Sequence, residues 1–173
     1  FFQKMGAAFV SASDVMESVL SGKELADNSV LLTFADGYAD HFPTVFPLLD
    51  TYQIPAYFSM PGKIIKERNL LDVHRVHYIL ASQPIKEIVP MVFQRLDYDR
   101  GGEFEIEDNQ SLYHKLAIPS RFDDGDTIFV KRLLQVELPE RLRNLIAADL
   151  FRQCVNVSEE CLVGELYLTL DQV

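Results

Sequence analysis

Positive charge is in short supply in this sequence. Its 173 residues include 16 Lys or Arg against 26 Asp or Glu, for a formal net charge of -10 and a sequence pI near 4.8. A phosphate backbone or an anionic membrane attracts a positive field, so neither nucleic acid nor a membrane surface is expected as a partner. No apolar run approaches the ~18 residues that span a bilayer, and no basic-then-apolar leader opens the chain; a soluble piece is expected, with its compartment undecided. Cysteine is scarce as well. Cys154 and Cys161 would lie ~10 Å apart on one helix, beyond disulfide reach, and read as two buried free thiols. The sequons at Asn109 and Asn156 matter only in a secretory pathway that nothing here supports; Asn156 or Ser158 reads better as a helix cap. The chain also lacks an initiating methionine: it opens at Phe1 in what reads as the middle of an element.

What is present suits one globular domain with a real core, at 48% hydrophobic and 24% charged residues. Ser13 is placed to cap a short helix through Val15, Met16 and Leu20 that ends at Gly22. The run "SVLLTF" is the nearly unbroken apolar pattern of a strand covered on both faces. After the tight loop "ADGY", "HFPTVFPLLDTY" reads as a helix with Thr44 at its cap and Pro47 in its first turn, where a missing N–H costs little. "IPAYFSMP" follows as a second apolar strand. Strand, helix, strand within about thirty residues is a βαβ unit, which calls for a parallel sheet.

Past Gly62 the apolar spacing turns helical. "LLDVHRVHYILASQPIKEIVPMVFQRL", "DDGDTIFVKRLLQVEL", "PERLRNLIAADLFRQC" and "SEECLVGELYL" all follow helix periodicity, with Pro139 at a helix start. Between them "DYDRGGEFEIEDNQS" is polar, an exposed excursion with a short strand at Phe104 to Ile106. At the end, Thr169 followed by Gln172 forms the signature of a capping box, so a helix starts where the chain stops. An isolated turn has no stability of its own, and the chain is expected to be a fragment or the ordered part of a longer protein. The sequence therefore divides into a βαβ part at 1–62, a mostly helical stretch at 63–165 and the start of a further element at 166–173.

"LLTFADGY" together with "DHFPTVFPLLDTYQIPAYFSMPG" resembles the start of a polysaccharide deacetylase domain, whose first motif reads TFDDG. The helical stretch resembles the long insertion found in one branch of that family. The resemblance implies a distorted (β/α) barrel, here partial, with a divalent metal, usually zinc, at the C-terminal ends of its strands. It implies an N-acetylated oligo- or polysaccharide as substrate. Carried over by position, the first acid of the motif is the general base, a place that Ala35 holds in this chain; the second acid ligates the metal, and this is Asp36. Thr33 and Phe34 would set up the strand end, and Gly37 would supply a turn that a side chain obstructs. The family's remaining ligands belong to a later HxxxHP motif, which this chain does not contain and which would be expected beyond Val173.

The chemistry bears on that comparison. Hydrolysis of an acetamide needs a Lewis acid, an activated water and a base for its proton. Alanine accepts no proton, and losing a positioned base costs on the order of a hundred- to ten-thousand-fold. One carboxylate falls short of the three protein ligands that a catalytic zinc takes. The chain by itself is thus expected to lack a complete active site and need not hold a metal; the alternative is a degenerate, non-catalytic carbohydrate-binding or interaction module. Other candidates are weaker. His74 and His77, three apart on a helix, share a face that could reach a metal, though one surface and one partly buried histidine is the commoner outcome. His41 reads as a solvent-side residue near a helix start. Asp123, Asp124 and Asp126 lack the spacing of a calcium loop and suit a helix N-terminus. Unpaired strand edges suggest association with a second copy.

Overall fold

The computed structural model describes residues 2–173. The chain forms two compact units, one made of the segment up to Asn69 together with Glu160–Val173, the other of Leu70–Glu159.

In the first unit β1 (Ala8–Phe9) pairs in parallel with β2 (Ser29–Val30), and β3 (Leu32–Phe34) in parallel with β4 (Ala56–Phe58). Between β1 and β2 lies α1 (Ala12–Ser21), and between β3 and β4 lies α2 (Val45–Thr51), so each pair is a βαβ unit. The run expected as one strand is instead divided at Leu31, and its two halves take different partners. Nor is it covered on both faces: no residue of β1 to β4 is fully buried, and each sheet has two strands among the described residues. The arrangement is mixed α/β and rich in helix; the described strands make two small sheets rather than a barrel.

The local signals explain the helix ends. Ser11, not Ser13, caps α1: its Oγ accepts the Asp14 N–H at 3.1 Å while its own N–H donates to the Asp14 carboxylate at 2.7 Å. The reciprocal pair needs an acid three residues on, which Ser11 has and Ser13 does not. Gly22 closes the helix at φ 73°, with its N–H on Ser18 O at 2.9 Å. Thr44 precedes α2 without a side-chain capping bond, and Pro47 sits in the first turn.

The second unit is helical: α4 (Asp72–Ser82), α5 (Ile85–Asp99), α6 (Asn109–Leu116), α7 (Gly125–Arg132), a π-helical turn at Leu133–Glu137, and α8 (Glu140–Cys154). A short α3 (Gly62–Glu67) precedes the unit and α9 (Glu159–Leu166) begins at its end. Pro84 separates α4 from α5 by holding Gln83 extended, at φ -139° and ψ 150°. Val76, Ile79, Ile88, Val92, Leu96, Phe129, Leu133, Leu142 and Ile146 have no measurable exposure and form a continuous apolar interior. Two expectations are corrected here. The polar excursion carries only an isolated bridge from Arg100 to Phe104, not a strand at Phe104 to Ile106, and it runs into α6, whose Asp108 caps the N–H groups of Gln110 and Ser111 at 3.0 Å each. Cys154 is buried but Cys161 is exposed, since it lies on the outer side of the separate helix α9.

One ion pair staples this unit. Arg75 on α4 is 9% exposed; its Nε and Nη2 donate to the two carboxylate oxygens of Glu159 at 2.9 and 2.7 Å, and Nη1 donates to Asp72 at 3.0 Å. The fork geometry is one that only arginine supplies. Arg75→Ala should lower stability by about 2–3 kcal/mol, leaving Glu159 without its partner. Arg75→Lys should recover only part of this, as read from thermal unfolding; equal stability of all three proteins would refute the staple.

Hydrogen bonds at the caps hold the carboxyls of Asp108 and Asp124 below the ordinary value of 3.8, from the Ser111 side chain and the Thr127 backbone respectively. A depressed folded-state pKa contributes stability that is complete above 3.8 and lost as pH falls through the lower folded value. The amide signals of Ser111 and Thr127 should therefore report fraying of α6 and α7 only below about pH 4. Asp108→Asn and Asp124→Asn should remove that pH dependence.

Candidate functional site

The loop that follows β3 is built by two consecutive left-handed residues, Asp36 at φ 66° and Gly37 at φ 60°. Asp-Gly is the pair best suited to such a turn, because aspartate tolerates the left-handed region and glycine pays no Cβ penalty there. Gly37 is buried, and a Cβ built on it would stand 2.8 Å from Met60 Cγ. Its carbonyl accepts the Leu168 N–H at 2.9 Å, and Tyr38 forms an antiparallel bridge with Tyr167. The motif loop is thus held from two sides, by β4 through the Phe34 carbonyl and Ser59 N–H at 2.8 Å, and by the chain's last residues.

On this frame Thr33 is exposed, Phe34 stacks on Phe58 with ring centroids 5.0 Å apart, Ala35 is exposed, and Asp36 is half-buried just past the strand end. His74 and His77 lie on α4, in the other compact unit, with ring centroids 6.4 Å apart; His74 is buried and His77 exposed. Among the described residues no three or more His, Cys, Asp or Glu side chains gather where they could hold a metal ion.

Sequence reasoning missed His41. Expected at the solvent side, it is 8% exposed on a short 3-10 turn at Ala39–His41, walled by the rings of Phe34, Tyr38 and Phe58 at centroid distances of 5.5, 5.8 and 5.7 Å. Its Nδ1 is buried with no hydrogen-bond partner among the described residues. The turn bends the chain inward before α2, and no periodicity in so short a stretch signals that. The aromatic neighbours at Tyr38 and Phe42 were the only available hint. His41, Gly37, Phe46, Gln53, Phe58 and Met60 contribute to the lining of a cavity of about 680 Å3.

A half-buried carboxylate just beyond the C-terminal end of a parallel strand, beside a cavity, is the working arrangement of α/β enzymes. Comparison with known proteins adds that residues 22–95 match the polysaccharide deacetylase family model. Over 53 residues it is 40% identical to the poly-beta-1,6-N-acetyl-D-glucosamine N-deacetylase of Escherichia coli (strain K12), and equally to that of Escherichia coli O157:H7. These matches cover 31% of this chain and 8% of each relative. No solved structure gives a significant match. No helix among the described residues is long and apolar enough to cross a membrane.

Gly37→Ala should destabilise the chain by about 1–2 kcal/mol, from the left-handed backbone and the crowding at Met60. Pairing it with Met60→Ala should relieve the steric share, so the double variant would lose less than the sum of the two single losses in chemical denaturation. Strict additivity would show that Met60 is not the obstruction.

Proposed function

We propose that this chain acts on N-acetylated polysaccharide as a deacetylase-type module that binds the sugar while its own residues leave the hydrolytic centre incomplete. The observation that supports the reading is the loop Ala35-Asp36-Gly37 at the end of β3, with Asp36 and Gly37 both left-handed; by the resemblance to the TFDDG motif, Asp36 would stand at the ligand position and Ala35 at the base position. The matched relatives are N-deacetylases of a β-1,6-linked N-acetylglucosamine polymer, which supports the same class of sugar here.

The donor set does not fit a catalytic zinc. Such a site takes about three protein ligands and an open position, and Asp36 is the one carboxylate placed on the motif loop. His74 and His77 belong to a different compact unit. A divalent metal, zinc at family level, would need ligands beyond those this chain groups together. The other missing part is a proton acceptor: Ala35 is exposed at the loop and offers a methyl group where a water's proton would have to go.

Ala35 also favours a second reading, a non-catalytic carbohydrate-binding module that keeps the turn and has given up the chemistry. Acetate release and oligomer binding by the 173-residue chain, each measured with and without added zinc, test both. The expected result is saturable binding of a β-1,6-linked N-acetylglucosamine oligomer without acetate above background, and no tight stoichiometric zinc. Zinc-dependent acetate release abolished by Asp36→Ala would show the centre to be complete after all. Absence of any oligomer binding would remove the sugar from the reading.

A further inference from the structure

Helix α2 buries no residue, and one of its faces lines the cavity instead. Phe46, Leu49 and Asp50 stand at i, i+3 and i+4, the spacing that puts three side chains on one side of a helix, and all three belong to the cavity wall. Phe58 and Met60, at and just past the end of β4, belong to it as well. At about 680 Å3 the cavity is within the range that small-molecule sites occupy. Its walls carry one acid, Asp50, and no lysine or arginine. Asp50 is exposed, and its carboxylate has no ion-pair partner among the described residues; Gln53 Nε2 donates to its backbone carbonyl, at 2.7 Å. An apolar and aromatic cavity with a single unpaired anion disfavours anionic guests, and the chain's net charge of -10 adds to the same field. Phe46 is 55% exposed, and an open aromatic face attracts an ammonium group through its quadrupole. As i, i+4 neighbours, Phe46 and Asp50 can serve one cation together.

We propose that this cavity binds a small organic cation, an aryl- or alkylammonium whose apolar body packs against Phe46, Leu49, Phe58 and Met60 and whose ammonium donates to the Asp50 carboxylate. The apolar walls supply most of the affinity, because burial stabilises in proportion to the apolar area removed from water, whereas one exposed ion pair contributes little. Asp50 and the Phe46 ring set the preference for charge. A neutral molecule of the same body binds more weakly, and an anion most weakly of all. The site uses neither Asp36 nor the position of Ala35, and it stands independently of the sugar-binding reading above.

The test is titration of the 173-residue chain with phenylbutylammonium, phenylbutanol and phenylpentanoate, which share one apolar body and end in a cation, a neutral hydroxyl and an anion. Methionine methyl signals are the readout. The Met60 methyl should move on binding, while that of Met91, on α5 in the other compact unit, should stay in place and report an intact fold. The ammonium should bind about fivefold to tenfold more tightly than the alcohol, and the carboxylate more weakly than either. Asp50→Asn should abolish most of that preference without changing the affinity for the alcohol, and added salt should reduce it in the parent chain. Phe46→Ala, at an exposed position, should weaken all three by about threefold or more. Equal affinity for the three probes overturns the cation site, and a preference that survives Asp50→Asn removes Asp50 from it. A Met60 methyl that none of the probes moves overturns the cavity as a binding site.

Discussion

A single backbone hydrogen bond, from the Leu168 N–H to the Gly37 carbonyl, ties the motif loop to the far end of the chain. Leu168 is held from both sides of its peptide, because its own carbonyl accepts from Arg68 Nη1 at 3.3 Å. Tyr167 beside it is 1% exposed and bridges Tyr38. Local sequence favours the turn, since aspartate tolerates the left-handed region and glycine adopts it freely, and this remote strand-like contact together with Met60 beneath Gly37 fixes it in place. The cost of closing so long a loop rises only slowly with its length, so the helical unit can intervene without forbidding the contact.

The two units differ in how they are stabilised. The helical unit has an interior of Ile, Leu, Val and Phe side chains with no measurable exposure, stapled at one end by Arg75 and Glu159. In the other unit neither α1 nor α2 buries a residue completely, and the strands are half-exposed. Few buried apolar contacts mean low local stability.

That contrast also explains what could be read from the sequence. Features set by a few neighbouring residues were legible: Gly22 ending α1, Pro139 marking a helix start, the parallel strands around α2, the turn at Asp36-Gly37. Features set by distant packing were not. Nothing in "SVLLTF" says that its halves pair with different strands, because the partner is chosen across space and the apolar pattern is the same either way. His41 is buried by rings from β3 and β4, and its burial is a property of that meeting rather than of "DHFP". Two misses were local after all. Ser11 outcompetes Ser13 because the acid three residues on belongs to Ser11, and α6 had its signature in Asp108 followed by Leu112 and Leu116 at helical spacing, hidden by the polar residues around it.

The turn at the end of β3 was legible from one short motif, since a strand-end turn of this kind calls for a glycine and admits few other residues. Which side chains stand around it depends on where α2, β4 and residues 167–172 come to rest. Those elements bring to the loop a buried imidazole and a set of aromatic rings.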